Sequence, residues 1–307
     1  MSVFVIGEAG VNHNGSLENA IKLIDVAKKA GCNAVKFQTF DCERVASESA
    51  SLAKYQVSNL SSEINQREML RPLQLTYVEF ECLKKYCDDI KIEFMSTPSD
   101  PVDLDFLISI GIKRIKIASA DIDNKPLLYK ASQTGLQIIL STGMATFFEV
   151  QRSINYIKSF TSSGEIVIMQ CTSEYPCPDE YLNLNVVDTY RKTFDLPTGF
   201  SDHSEGKLAS LCAVAKGVNY IEKHFTLSNE LSGPDHKASL EPQELEKFIQ
   251  MIRKAEIFMG NEDKEVTRCE KDNRLRMRKS LTIDQFGNHL MQRPANKGID
   301  PWDWEPS

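Results

Sequence analysis

Two short runs carry the side chains best suited to chemistry, Phe200-Ser201-Asp202-His203 and Glu222-Lys223-His224-Phe225. Each histidine closes a brief apolar run, Leu196 to Phe200 in one case and Val218 to Ile221 in the other. The Ala/Leu-rich stretch from Gly206 to Lys216 lies between them and reads as a helix. Strand, helix, strand makes a parallel βαβ unit, which delivers both histidines to the same end of neighbouring strands. Two neutral imidazoles meeting there can hold one divalent metal; a pair of hydrogen-bonded structural histidines is the plainer alternative.

Other strand ends are polar too: Glu8, Lys36 with Gln38, Thr97, Lys116 with Ser119, Ser141 with Thr142, and Ser173. Any one of them is explained as a hydrogen-bonded loop residue. Gathering all of them in one place is costly without a ligand. Strand alternation puts Ala34, Lys36 and Gln38 on one face, and Glu222 and His224 on one face of another strand. Lys36 and Lys116 then converge, and because a buried ammonium pair repels, an anion between them is its natural completion. Ser119 offers a hydroxyl for that anion, and Ser141-Thr142-Gly143, just ahead of a helix, offers hydroxyls and helix N-terminal amides. A phosphate or a carboxylate is the ligand implied. In Asn12-His13-Asn14-Gly15-Ser16, His13 reads as turn-stabilising, with reach into the site as the alternative, and Ser16 as an N-cap. On the loop Gly233 to Lys237, His236 shapes the backbone and Asp235 contacts the ligand.

The spacing predicts strands at Val3–Gly7, Ala34–Gln38, Ile92–Ser96, Arg114–Ala118, Gln137–Ser141, Ile166–Gln170, Leu196–Ser201 and Val218–Phe225. Helical patterns follow each in turn: Leu17–Ala30, Leu75–Asp88, Val102–Ile110, Lys125–Gln133, Phe147–Phe160, Asn185–Lys192, Lys207–Lys216 and Pro242–Phe258. Eight such repeats in ~250 residues point to an α/β fold, a (β/α)8 TIM barrel with a short C-terminal extension. A doubly wound sheet would not normally need eight strands of one kind. The long connection from Thr39 to Pro72 is the exception to short loops; such segments are usually functional or contain small helices. Asn261 to Ser280 is charged and helix-compatible and reads as a solvated helix. The division expected is a catalytic barrel over residues 1–280 and a tail over 281–307, with Gly298-Ile299-Asp300-Pro301, Trp302 and Trp304.

Composition limits the alternatives. The chain has 307 residues, 41% hydrophobic and 26% charged, the balance of a soluble globular protein. A net charge of -7 argues against nucleic acid as partner. No apolar run approaches the ~18 residues of a membrane helix. The start, Met1-Ser2-Val3-Phe4-Val5-Ile6, lacks the basic region of a signal peptide, so a cytoplasmic protein is expected. Its eight cysteines form no C-x-x-C pair and read as reduced thiols.

Several motifs together resemble the sialic acid (nonulosonate) synthase family: Glu8-Ala9-Gly10-Val11-Asn12-His13-Asn14-Gly15, Lys36-Phe37-Gln38-Thr39-Phe40 and Ser96-Thr97-Pro98. So do Cys171-Thr172-Ser173-Glu174-Tyr175-Pro176, Ser201-Asp202-His203, Lys223-His224-Phe225-Thr226 and the run from Gly233 to Glu241. The resemblance implies condensation of phosphoenolpyruvate with the open-chain aldehyde of an N-acyl hexosamine. The products would be a sialic-acid-like 3-deoxy ulosonic acid and phosphate. It also implies a divalent metal on His203 and His224, manganese first, with magnesium or cobalt as alternatives. By the same resemblance Lys36, Thr97, Lys116, Ser119, Ser141, Ser173 and Ser201 would hold phosphoenolpyruvate, and Gln38, Tyr175 and Asp235 would face the sugar. Glu8 and Asp121 would stabilise the cationic charge that builds at the enol carbon. Asp121 stands where the family usually has Glu, one methylene longer. The tail resembles a remnant of the linker to the family's antifreeze-like domain, and the family precedent implies a homodimer. A Schiff-base aldolase using Lys36 or Lys116, or a non-catalytic sugar-binding relative, are the rival readings.

Overall fold

Strands and helices alternate through the computed structural model, which describes residues 2–60, 64–161, 165–295, 300–303 and 305. The eight strands are β1 (Phe4–Gly10), β2 (Ala34–Thr39), β3 (Glu93–Pro98), β4 (Arg114–Ile117), β5 (Gln137–Ser141), β6 (Ile166–Gln170), β7 (Thr198–Asp202) and β8 (Tyr220–His224). They lie in the order β3-β2-β1-β8-β7-β6-β5-β4 and form a nearly closed parallel barrel. The helices begin with α1 (Leu17–Ala30), α2 (Cys42–Val45), α3 (Lys54–Leu60), α4 (Gln66–Leu70), α5 (Tyr77–Ile90) and α6 (Pro101–Ser109). They continue with α7 (Lys125–Ser132), α8 (Phe147–Phe160), α9 (Val186–Phe194), α10 (Leu208–Ala215) and α11 (Pro242–Met259).

The chain starts its helices with local polar signals. Ser16 caps α1 by accepting from the Asn19 amide, and Thr76 and Thr146 close reciprocal capping boxes with Glu79 and Glu149. Strand ends differ from expectation for similar local reasons. Pro197 has no N–H to give, and β7 starts after it, at Thr198 rather than Leu196. β1 continues past Gly7 to Gly10, so Glu8 lies inside the strand.

Period-two alternation divides the core in two. Val5, Val35, Phe37, Phe94, Ile115, Ile117, Phe200 and Ile221 face outward into one large cluster with the helices. Ile6, Ala34, Met95, Ile139, Val167, Met169 and Tyr220 face inward and plug the barrel. Two residues further along the same inner faces come Glu8, Lys36, Thr97, Ser141 and Glu222, all buried. The polar layer therefore sits directly on an apolar floor at the C-terminal ends of the strands.

The long connection after β2 is built rather than loose: α2, α3 and α4 lie within it. Arg44 ties it to the barrel through Asp103 at 2.7 Å and through Asp100. Arg67 donates to the Ala46 carbonyl within it at 2.8 Å.

Contacts divide the chain into compact units Met1–Met259 and Gly260–Ser307. The second contains α12 (Lys271–Met277) and an antiparallel hairpin, β9 (Ser280–Ile283) with β10 (His289–Gln292). The Asp284 carboxylate closes that hairpin's turn by accepting from the Phe286 and Asn288 amides, both at 2.8 Å. Gly298, Ile299 and Trp304 lie outside the described residues. Among the described residues no helix is long and apolar enough to cross a membrane.

Candidate active site

A cavity of about 460 Å³ opens over the polar layer. Glu8, Lys36, Gln38, Thr97, Lys116, Ser119, Asp121, Ser141, Ser173, Tyr175, Ser201, His203 and His224 all line it, so the strand-end residues converge on one mouth. Asp235 stands just beside it. A Cβ built on Gly10 would lie 3.5 Å from Gln38 Nε2, 3.5 Å from Glu8 Oε1 and 3.8 Å from Asp235 Oδ2. Gly10 adopts φ +53 at a bulge between β1 and β2, which lets bare backbone approach those three side chains.

The anion expected between the two lysines is part of the chain. Glu222 Oε1 lies 3.2 Å from Lys116 Nζ, and Glu222 Oε2 lies 3.6 Å from Lys36 Nζ. Lys36 also contacts Glu8 Oε2 at 2.8 Å and donates to Thr97 Oγ1 at 3.1 Å. Two carboxylates thus offset two ammonium groups, and a substrate anion is not needed to make the pair tolerable. Burial lifts the Glu8 carboxyl to about 7, opposed by Lys36 and reinforced by Glu222. Burial also pushes Glu222 upward, but Lys116 and Lys36 outweigh it and hold that carboxylate far below its ordinary range. Lys36 shows the mirror image: burial pulls it down, Glu222 and Glu8 outweigh this, and the net direction is up. An ammonium held this firmly is a poor Schiff-base nucleophile, which counts against the aldolase reading for Lys36.

Glu222 is the functional side chain that motif spacing did not single out. Its only signal was a place two residues before His224 on the same strand face.

The histidine rings lie 5.6 Å apart between centroids, with the Tyr175 ring 4.1 Å from His203 and 5.5 Å from His224. Burial keeps both imidazoles neutral, lowering His203 to about 4 and holding His224 well below its ordinary value. His203 Nδ1 donates to the Thr172 carbonyl at 2.7 Å, which leaves Nε2 with its lone pair. Ser201 Oγ is 3.2 Å from that Nε2, yet Ser201 spends its proton on Glu222 Oε1 at 2.8 Å. Two lone pairs therefore face each other, while buried His224 Nδ1 has no hydrogen-bond partner. A cation held by the two imidazoles would satisfy these atoms, so the donor set fits a metal. Among the described residues no group of three or more His, Cys, Asp or Glu side chains could hold one.

A second cluster surrounds Gly143. Its amide donates to Ser119 Oγ at 3.0 Å and to Cys171 Sγ at 3.2 Å. A Cβ there would lie 2.3 Å from Ser173 Oγ and 2.8 Å from Ser119 Oγ, so any larger residue would push those two hydroxyls out of place. Ser141 Oγ, buried nearby in the same cavity wall, has no partner. This corrects one expectation: α8 begins at Phe147 with its own cap at Thr146, so the Gly143 amide belongs to the preceding loop and not to a helix terminus. Asp121 lines the cavity but accepts from Asn124 Nδ2 at 2.8 Å, and burial raises its carboxyl.

The sequence profile of the NeuB family matches residues 23–264, most of this barrel. The chain belongs to the NeuB family. It is 41% identical to the N,N'-diacetyllegionaminic acid synthase of Legionella pneumophila over 286 residues, covering 92% of this chain and 80% of that one. Against the N,N'-diacetyllegionaminic acid synthase of Campylobacter jejuni it is 40% identical, covering 98% and 93%. Among solved structures, the N-acetylneuraminic acid (sialic acid) synthetase of Leptospira borgpetersenii superposes with TM-score 0.79 at 33% identity, covering 89% and 90%. This NeuB-family chain is an enzyme of the sialic acid synthase type.

In the NeuB-family barrel seen here, the loop residues fall into supporting and facing roles. His236 Nδ1 pairs with Thr226 Oγ1 at 2.7 Å and its Nε2 with Asn14 Oδ1 at 3.1 Å, locking the loop after β8 to the turn after β1. His13 Nδ1 accepts from the Gly15 amide at 3.0 Å, the turn-stabilising role expected of it. Asp235 is different: burial alone raises its carboxyl to about 6. A carboxyl raised in the folded state costs stability as pH climbs from about 4 to about 6, and nothing further above that. Asp235→Asn should therefore gain up to about 3 kcal/mol over the parent at pH 7.5 but little at pH 4. Urea unfolding at the two pH values checks this; an equal difference at both would contradict it.

Proposed function

We propose that the chain is a metal-dependent synthase that joins phosphoenolpyruvate to the open-chain aldehyde of an N-acyl hexosamine. The products are a sialic-acid-like 3-deoxy ulosonic acid and inorganic phosphate. The observation that carries this reading is the meeting of two neutral imidazoles with Lys36, Lys116, Glu8 and Glu222 in one cavity of a NeuB-family barrel.

His203 and His224 would hold a divalent ion, manganese first, and that ion would supply Lewis-acid polarisation of the aldehyde. Lys36, Lys116 and the group of Ser119, Ser141, Ser173 and the Gly143 amide hold the phosphate and carboxylate of phosphoenolpyruvate. Thr97 and Ser201 orient Lys36 and Glu222 through the bonds already described. Gln38, Tyr175 and Asp235 face the sugar. The enol carbon C3 attacks the aldehyde carbon; the new carbon–carbon bond forms as the double bond is spent, and positive charge builds at C2. Glu8, or Asp121 from the other wall, stabilises that charge. Water adds at C2, and Glu8, with a carboxyl near 7, is suited to take the proton it sheds. The new C2 hydroxyl then gives up its proton as the carbonyl forms and the C2–O bond to phosphate breaks, and the phosphate departs against Lys36 and Lys116. Of the two protons shed by the water, one ends on the former aldehyde oxygen and the other on the phosphate. We further propose a cytoplasmic homodimer acting on small molecules alone.

The test is phosphate release from phosphoenolpyruvate across a panel of N-acyl amino sugars, with and without Mn2+. Release that needs both manganese and an amino sugar is the expected result. Covalent trapping by borohydride with pyruvate would favour the aldolase, and no release with any acceptor would favour a sugar-binding protein.

A further inference from the structure

Immediately before each histidine stands a charged residue, Asp202 before His203 and Lys223 before His224. Alternation turns both away from the cavity, and neither lines it. Asp202 and Lys223 are register partners across β7 and β8. Lys223 Nζ lies 3.2 Å from Asp202 Oδ1, with side-chain exposures of 1% and 0%. Hydrogen bonds to Ser204 and Ser210 tie the pair in. Lys223 donates to the Ser204 carbonyl at 2.6 Å. Asp202 Oδ1 accepts from the Ser204 amide at 2.9 Å and from Ser204 Oγ at 2.6 Å, while Oδ2 accepts from Ser210 Oγ on α10.

Stability alone is a weak reason for such a pair. A buried ion pair is often replaced by apolar residues with no loss, whereas its directional bonds fix one geometry. Here that geometry is the alignment of the two strand ends from which the histidines project. A slip or splay of β7 against β8 would alter the ring separation of 5.6 Å directly. We propose that Asp202 and Lys223, with Ser204 and Ser210, form a positioning clamp that sets His203 and His224 at the spacing one divalent ion requires. This rests on the reading of those histidines as metal ligands. Supporting groups behind metal ligands commonly change metal affinity about 10–100-fold when removed.

The experiment measures Mn2+ binding to substrate-free protein, following free manganese by electron paramagnetic resonance. The double variant Asp202→Asn/Lys223→Met removes both charges and leaves no unpaired ion. It should unfold cooperatively, bind Mn2+ about 10–100-fold more weakly, and need correspondingly more manganese for half-maximal turnover. Saturating manganese should restore most of kcat, a split that general damage to the fold would not produce. Wild-type affinity in the double variant overturns the clamp. If that variant does not fold, Ser210→Ala carries the test, since it only takes the hydroxyl from Asp202; it should weaken Mn2+ binding in the same direction, and unchanged affinity again overturns the proposal. Mn2+ binding that survives His203→Ala, with the clamp left intact, would overturn the ligand reading beneath it, a distinguishable result.

Discussion

His203→Ala or His224→Ala is expected to lower turnover by at least about 10³-fold while the unfolding transition stays cooperative. Metal polarisation of a carbonyl contributes several kcal/mol at the transition state, and each ~1.4 kcal/mol is tenfold in rate. Neither ring holds the barrel together through strong bonds. His224 Nδ1 has no partner, and His203 bonds to the Thr172 carbonyl and approaches Ser201 Oγ at 3.2 Å. The loss should therefore fall on activity and Mn2+ affinity, not on Tm. Near-normal turnover by either variant in metal-free buffer would remove the metal assignment.

Glu222→Ala should be the most destabilising single change in the cavity, by about 3–5 kcal/mol, because it strands buried ammonium groups. Lys116 would lose its ion-pair partner at 3.2 Å, and Lys36 would keep only Glu8. Ser201 would also lose the acceptor for its proton. Adding Lys116→Met to Glu222→Ala should recover part of the loss, since it removes the charge left unpaired; a double-mutant cycle in urea measures the coupling. Additive effects of the two substitutions would contradict the central place given to Glu222.

The barrel was legible because β-rich runs and amphipathic helices alternate with little interruption, and because inner and outer strand residues follow a period of two. That same period placed Lys36, Lys116, His203 and His224 on inward faces. What it could not reveal was pairing across the barrel. Lys116 and Glu222 are separated by 106 positions and meet only when the strands close round. The missing counter-ion was therefore read as a substrate. Gly143 failed for a local reason: Thr146 and Glu149 form a stronger helix start than Ser141-Thr142-Gly143, so the helix begins later. For Tyr55-Gln56, in the long connection after β2, the sequence leaves a functional role and a small helix equally open. Tyr55 sits on a helix there and reaches Tyr175, 5.1 Å away between ring centroids, by tertiary packing alone.

The most direct measurement is a crystal structure of the protein with Mn2+ and phosphoenolpyruvate bound. Manganese is expected on one nitrogen of His203 and one of His224, with the phosphate against Lys36, Lys116 and the Gly143 amide. Manganese bound away from both imidazoles, or phosphate on a different rim of the barrel, would contradict that expectation.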